Sequence, residues 1–451
     1  MKFDQTFVFG TATSSYQIEG AHNEGGRTPS IWDMFCDIPG RVYKQHNGDV
    51  ACNHYYRYEE DIQHIKRLGV DSYRFSISWS RIFPQKGVYN PEGMAFYQNL
   101  VNELKKEQIK PAITLYHWDL PMWAHEEGGW VNRESVEWFV DYARVCFQEL
   151  DVDVDSWITH NEPWCAGFLG YHQGVHAPGH TNLEEALKAI HHILLSHGRA
   201  VQLLKKELGS KTPIGITLNL SPVYSKTDSM NDQIARNNAD GYSNRWFLDP
   251  VFKGAYPVDM MNLFAKYVHS YDFIQQGDLS IIATECDFLG INFYSRAFVE
   301  FNAANDFMYR GAHSDYQKTG MDWDISPLEF KDLIRRIRQD YTDLPIYITE
   351  NGAAFDDQLE NGRVHDHERV DYIEQHLQAV SDLNEEGMNV QGYFLWSLMD
   401  NFEWSFGYDK RFGILYVDFN SQERIWKDSA YRYAEIIQQR SLLSSDVKEK
   451  V

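Results

Sequence analysis

Eight short runs of β-branched and aromatic residues recur down this chain, separated by long amphipathic segments. They fall at residues 7–10, 72–76, 111–115, 157–160, 214–218, 288–291, 346–349 and 393–395. Strand alternating with helix predicts a parallel sheet wrapped by helices, and eight is the strand count that closes such a sheet into a barrel. The intervening periodicity agrees. Ile62, Ile65 and Leu68 share one face of a helix over 58–68, which Gly69 ends. Residues 132–150 predict a helix capped by Asn132 with Glu134 in its first turn, and 183–208 and 367–386 predict two more. An open doubly wound sheet would carry a Gly-rich phosphate turn after its first strand. Phe9-Gly10-Thr11-Ala12-Thr13-Ser14-Ser15 has a single glycine, which favours the closed form. The expected organisation is one (β/α)8 TIM barrel over residues 1–441 with elaborated βα loops. A polar tail, 442–451, is expected to fray.

Bulk properties exclude several function classes. The net charge of −23 opposes nucleic acid, whose binding requires neutralised phosphates, and opposes anionic membranes. No apolar segment reads as a membrane span, and Met1-Lys2-Phe3-Asp4 runs straight into folded-looking sequence without a signal peptide. The five cysteines, Cys36, Cys52, Cys146, Cys165 and Cys286, are scattered and odd in number, which predicts unpaired thiols in a reducing compartment. A cytoplasmic location is expected. Aromatic residues reach 15% of the chain, enough to supply stacking faces for sugar rings as well as core.

Polar residues gather where the expected strands end. Gln17 follows the first strand and Arg74 lies on the second. His117 and Trp118 follow the third, and Asn161 and Glu162 the fourth. Asn219 follows the fifth, and Asn292 and Tyr294 the sixth. Glu350 follows the seventh and Trp396 the eighth. Barrel enzymes build their sites on that rim, so residues far apart in sequence converge on one pocket. Each motif alone has an ordinary reading: Asn161-Glu162-Pro163 can open a helix, and Asn351-Gly352 can form a tight turn. Together they place two carboxylates across one pocket, the machinery of glycosidic bond hydrolysis. Such chemistry needs one carboxyl protonated and one ionised. Arg74 is expected to favour the anion of Glu350, the nucleophile, while burial and that charge keep Glu162 neutral as the acid. Gln17, His117, Asn161 and Glu403 offer donors and acceptors for vicinal hydroxyls, and Trp396 and Trp404 offer stacking faces.

These residues together resemble the family 1 β-glycosidases, in their β-glucosidase branch, from about residue 7 to about residue 440. The resemblance runs through residues 9–20, through Tyr73-Arg74-Phe75-Ser76-Ile77-Ser78-Trp79 and through Leu115-Tyr116-His117-Trp118-Asp119-Leu120-Pro121. It continues in Asn161-Glu162-Pro163-Trp164, in Ile348-Thr349-Glu350-Asn351-Gly352 and in residues 396–404. It implies a retaining double displacement on β-glucosides, with β-galactosides and β-fucosides as further substrates and no cofactor. It implies Glu162 as acid/base and Glu350 as nucleophile, with Tyr294 beside Glu350. Contacts to sugar hydroxyls are implied from Gln17, His117, Asn161, Glu403 and Trp404, and support from Asn292 and Asn219. Trp323 resembles an aglycone-side aromatic, although Asp322 stands before it where Gly is usual.

Three other readings compete with this one. Similar 6-phospho-β-glycosidases carry Ser in place of Glu403, with Lys and Tyr closely following; here the run is Glu403-Trp404-Ser405-Phe406. A carboxylate at Glu403 is expected to repel a phosphate dianion. A catalytically silent sugar-binding protein on the same barrel is opposed by the presence of both glutamates. A metal enzyme is disfavoured, because His191-His192 and His365-Asp366-His367 lack ligand-type spacing. The sequence is compatible with a homo-oligomer and leaves that state open.

Overall fold

The computed structural model describes residues 2–443. Eight parallel strands close into a barrel: β1 (Val8–Ala12), β2 (Ser72–Ser76), β3 (Lys110–Tyr116), β4 (Ser156–Asn161), β5 (Ile214–Asn219), β6 (Phe288–Asn292), β7 (Ile346–Asn351) and β8 (Val390–Trp396). Each pairs with its sequence neighbours, and β1 pairs with β8 to complete the ring. Every expected strand is present. Several run further than their apolar pattern, into the polar rim: Asn161, Asn219, Asn292 and Asn351 are the last residues of β4, β5, β6 and β7.

The main covering helices are α1 (His54–Leu68), α2 (Pro91–Lys106), α3 (Ser135–Leu150), α4 (Leu183–Gln202), α5 (Trp246–Lys253), α6 (Pro327–Asp340), α7 (His367–Glu385) and α8 (Asp428–Gln439). Gly69 ends α1 in a left-handed conformation, as its position in the sequence predicts. Helix α3 starts later than expected. Asn132 accepts from the Glu134 backbone N–H at 3.0 Å, so it caps the turn before the helix and Glu134 takes the cap position. Asn182 caps α4 through the N–H groups of Glu184 and Glu185, and the wider π-helical winding of Leu203–Glu207 carries the segment to its end.

Inside the ring, Phe394 fills space that glycine leaves: a Cβ at Gly10 would lie 2.3 Å from its ring. Outside it, Trp79, Trp130, Trp157 and Trp246 are fully buried between strands and helices. All five cysteines are buried and unpaired. The elaborated loops add a small sheet, of Val223–Ser225, Ala297–Phe301 and Tyr309–Gly311, in the segments that follow β5 and β6.

A buried ionic cluster anchors the loop after β8. Lys427 reaches Asp357 at 2.5 Å and Asp400 at 2.7 Å. Arg411 reaches Asp400 at 2.6 Å, and Arg369 reaches Asp357 at 2.8 Å and also pairs with Asp366. Three acids meet three bases, so no net charge is buried. The cluster joins the N-terminal ends of α7 and α8 to the segment that carries Glu403. At the C-terminal end, the Leu442 carbonyl accepts from Arg432 at 2.7 Å, and its side chain packs against the core. Residues 444–451 of the expected tail lie outside the described residues.

Candidate active site

Both carboxylates stand just past an irregularity in their strands. Strand β4 holds one residue more than β5 between the pairs Ile158–Gly215 and Asn161–Thr217. Strand β7 holds one more than β6 between Ile348–Ile291 and Glu350–Asn292, and β8 shows the same step. Such bulges re-aim side chains at barrel rims, and here they turn Glu162 and Glu350 into one cleft. Gly352 serves close packing, where the sequence suggested a turn. It lacks the positive φ of a turn glycine, and a Cβ there would meet the Trp396 carbonyl at 1.7 Å. Asn161 does not cap a helix: it ends β4, and its side chain faces Arg74.

Glu350 is held from both sides. Its Oε1 accepts from Arg74 Nη1 at 2.6 Å and its Oε2 from the Tyr294 hydroxyl at 2.5 Å. Glu162 Oε1 accepts from Asn292 Nδ2 at 2.6 Å, and its Oε2 accepts from the Cys165 thiol at 3.0 Å. Arg74 is 1% exposed and also donates to Asn161 Oδ1 at 2.7 Å, Thr349 O at 3.0 Å and Thr114 Oγ1 at 3.2 Å. Asn161 Nδ2 meets His117 Nε2 at 3.1 Å, and Trp118 Nε1 donates to the Asn161 carbonyl at 2.9 Å. Four residues at the cleft, Trp118, Glu162, Asp322 and Trp404, have left-handed backbone, with φ of 76°, 50°, 61° and 51°. Each costs on the order of 1 kcal/mol, strain of the kind that concentrates at functional sites.

A cavity of about 600 Å³ opens over these groups. Glu162, Glu350, His117, Trp118, Asn292 and Tyr294 line it, and so do Trp323, Trp396, Glu403, Trp404 and Asn219. Gln17, Asn161 and Arg74 do not line it. Gln17 Nε2 donates to Asn401 Oδ1 at 3.0 Å and to the Phe402 carbonyl at 2.8 Å, while its Oε1 accepts from Ser14 at 2.5 Å. Gln17 and Asn161 thus stand one layer back, with their polar atoms engaged by the protein. Trp323 packs 5.4 Å from the Tyr294 ring, and Asp322 before it has φ of 61°. That conformation favours glycine, which accounts for the residue this chain replaces.

Cys165, Trp164, Leu169, Arg296 and Phe412 also line the cavity, and the sequence assigned none of them to a site. Trp164 and Cys165 carried a signal, following Glu162 by two and three residues. Four buried polar atoms of residues lining the cavity have no partner among the described residues: His117 Nδ1, Trp164 Nε1, His176 Nδ1 and Glu403 Oε2. Lys410 pairs with Asp409 and Arg411 with Asp400, so neither is offered to the cavity. Lys318 and Arg296, which do line it, pair with Asp324.

Burial sets the proton affinities. Burial first, and the Glu350 charge second, push the Glu162 carboxyl up to about 7. Burial pushes Glu350 upward too, opposed by the Arg74 guanidinium and by the bonds from Tyr294 and Asn292. Arg74 therefore offsets the burial of Glu350 only in part. Glu350 still ionises first, because it alone touches a cation. A third carboxyl responds most. Burial, then the charges of Glu350 and Glu162, raise Glu403 to about 8. At neutral pH Glu403 is mostly protonated, contrary to the carboxylate expected from the sequence. Burial and then Arg74 drive His117 well below the usual histidine range, leaving it neutral.

The histidine pairs behave differently from each other. His191 bonds Tyr256 and Asp278, and His192 bonds the Trp130 carbonyl, so both are core residues with partners. His365, His367 and Asp428 bring ligand-type atoms within 4.8 Å of one another at the surface. Arg363 bonds that Asp428, and two helix N-termini converge there, so the local field opposes a cation. No helix among the described residues is long and apolar enough to cross a membrane.

A closed parallel barrel that presents two carboxyl groups of unlike environment in an aromatic cleft defines a glycosidase-type site. The Glycosyl hydrolase family 1 profile matches residues 1–442, and the chain belongs to that family. Beta-glucosidase A of Acetivibrio thermocellus is 44% identical over 440 residues, covering 96% of this chain and 98% of the relative. The crystal structure of the GH1 beta-glucosidase from Exiguobacterium antarcticum B7 superposes with a TM-score of 0.97 at 75% identity, covering 98% of this chain and 99% of that one. A beta-glucosidase structure from Exiguobacterium marinum matches with a TM-score of 0.97 at 77% identity, covering 98% and 100%.

Proposed function

We propose that this chain is a retaining β-glucosidase that releases terminal β-D-glucosyl residues from aryl glucosides and short oligosaccharides such as cellobiose. The observation that carries the reading is the unlike setting of Glu350 and Glu162, one bound by Arg74 and the other by an amide and a thiol. Glu350 attacks the anomeric carbon while Glu162 gives its proton to the departing oxygen, and Glu162 then takes a proton from the water that releases the sugar. Tyr294 and Arg74 hold Glu350 in its attacking position, and Asn292 orients Glu162. His117 Nδ1 and Glu403 Oε2, unpartnered among the described residues, meet sugar hydroxyls, and Trp396 and Trp404 supply ring faces. Gln17 and Asn161 act from behind, on the loop at Asn401 and on His117, and Trp323 with Phe412 receives the aglycone.

An unphosphorylated sugar is favoured on new grounds. Every cation lining the cavity is already paired, and Glu350 carries a negative charge, so a phosphate dianion finds no free partner. A related protein from Bifidobacterium breve, 40% identical, is a bifunctional beta-D-glucosidase/beta-D-fucosidase, which supports fucosides as further substrates. Five unpaired thiols support a reducing, cytoplasmic setting, and residues 1–441 form the catalytic domain in this reading. Nitrophenyl glycosides of glucose, galactose, fucose and 6-phosphoglucose test it. Release from the glucoside with a bell-shaped pH dependence is expected, and loss of release in Glu350→Ala. Turnover of the 6-phosphoglucoside alone, a flat profile from about pH 4 to 9, or undiminished release by Glu350→Ala refutes it.

A further inference from the structure

The amide orientations around the cleft form a chain of deductions that ends on a single oxygen. A guanidinium only donates, so the Asn161 atom 2.7 Å from Arg74 Nη2 is its carbonyl oxygen. That same oxygen lies 3.0 Å from Asn292 Nδ2, which must then be a donor. The other end of Asn292 agrees: its Oδ1 lies 2.8 Å from the Thr349 hydroxyl, which donates to it. Asn292 Nδ2 therefore gives its second proton to Glu162 Oε1 at 2.6 Å. An oxygen that already accepts from a short amide bond is a poor place for the acid's own proton. The remaining oxygen, Oε2, has one partner among the hydrogen bonds of the cleft, the thiol of Cys165 at 3.0 Å.

We infer that Glu162 carries its catalytic proton on Oε2, and that Cys165 is the positioning residue that holds this oxygen through the cycle. The inference rests on the β-glucosidase reading. Cys165 lies on the π-helical segment Cys165–His172, three residues after Glu162, and both side chains line the cavity. A thiol suits the position because it both donates and accepts weakly. While Glu162 is neutral, its Oε2–H points to the leaving oxygen or to Sγ. As the C1–O bond breaks and a bond from Glu350 to C1 forms, the Oε2–H bond breaks and the proton ends on the leaving oxygen. The Cys165 S–H then rotates to donate to the anionic Oε2. When water attacks C1, the bond from C1 to Glu350 breaks, one proton of the water passes to Oε2, and the thiol again faces a neutral carboxyl. The thiol stays protonated throughout, since burial and the neighbouring Glu162 push it well above its ordinary range.

Other charged or titratable groups also face Glu162. Glu350 and Glu403 raise its proton affinity or share its field, Arg74 lowers it, and the Tyr294 hydroxyl lies on the Glu350 side. A Cys165 variant changes none of these, so its effect on the acid is separable. The test compares wild type, Cys165→Ala and Cys165→Ser on two substrates across pH. One is 4-nitrophenyl β-glucoside, and the other is 2,4-dinitrophenyl β-glucoside, whose better leaving group needs little protonation. Loss of the S–H donor in Cys165→Ala should move the basic limb of kcat/KM upward by about half to one pH unit, and the stronger hydroxyl donor of Cys165→Ser should move it down. The 4-nitrophenyl rate should fall several-fold more than the dinitrophenyl rate. Basic limbs that coincide in all three proteins, or equal losses on both substrates, overturn the role of Cys165 while leaving the β-glucosidase reading in place. Failure of wild type to hydrolyse either glucoside overturns both.

Discussion

Arg74→Met tests the electrostatics of the cleft most directly. Arg74 is the cation bound to Glu350, at 2.6 Å, and its charge lowers the carboxyl's proton affinity against a burial effect of opposite sign. Two unit charges with centres about 4 Å apart attract by about 4 kcal/mol at an effective dielectric constant of about 20, equivalent to about three pKa units. Part of that is recovered as the site relaxes, leaving two to three units as the expected order. The sign follows from the role of Glu350. It must be ionised to attack, so raising its pKa moves the acid limb of kcat/KM upward by about two to three pH units. The basic limb, set by Glu162, rises less, because Arg74 is the last of its influences. The profile therefore narrows, and on its acid side the rate falls by about 10²–10³-fold. Arg74→Lys keeps the charge without the fork and should return part of the shift. The assay is the pH dependence of nitrophenyl glucoside hydrolysis, with thermal unfolding confirming that the variant is folded. An acid limb within half a unit of wild type in Arg74→Met would remove Arg74 from any part in tuning Glu350.

Two further perturbations reach different parts of the structure. Glu403, raised to about 8 from an ordinary value of 4.5, binds a proton when folded that the unfolded chain releases. Its favourable contribution is present below about pH 4.5 and is lost as pH rises through about 8, so Glu403→Gln should gain stability relative to wild type with rising pH. The gain should approach about 5 kcal/mol by alkaline pH, read as urea midpoints at both ends of the window, and an equal offset at both ends contradicts it. Lys427→Met leaves Asp357 and Asp400 short of a cation in a buried cluster and should cost about 3–5 kcal/mol in denaturant unfolding. It should also raise KM more than it lowers kcat, because Asp400 anchors the segment bearing Glu403. Unchanged unfolding in Lys427→Met would show that the cluster relaxes by admitting water.

Much of the barrel was legible because its strands are short runs rich in β-branched and aromatic residues, a pattern that survives without knowledge of their neighbours. The rim was less legible. Asn161, Asn219, Asn292 and Asn351 continue their strands as polar residues, and strand patterns assign such residues to loops. The bulges before Glu162 and Glu350 left no mark at all, since an extra residue is defined only against the neighbouring strand. Gly352 read as a turn because Asn-Gly often is one. Its reason is the Trp396 carbonyl, 44 residues away in sequence and 1.7 Å from where a Cβ would stand.

Glu403 shows where residue type alone misleads. Its identity reads as a carboxylate, and a carboxylate would suffice to refuse a phosphate. In the folded chain burial, and then the charges of Glu350 and Glu162, make it a weaker acid than Glu162. Its neutrality suits the chemistry better than its charge would. A neutral acid can donate as well as accept, so one residue can address two hydroxyls of a sugar, and it adds no third negative charge beside a nucleophile that must stay ionised. Selection against phosphate is then expected from the pairing of Arg296 and Lys318 with Asp324, which leaves no unpaired Lys or Arg among the described residues that line the cleft.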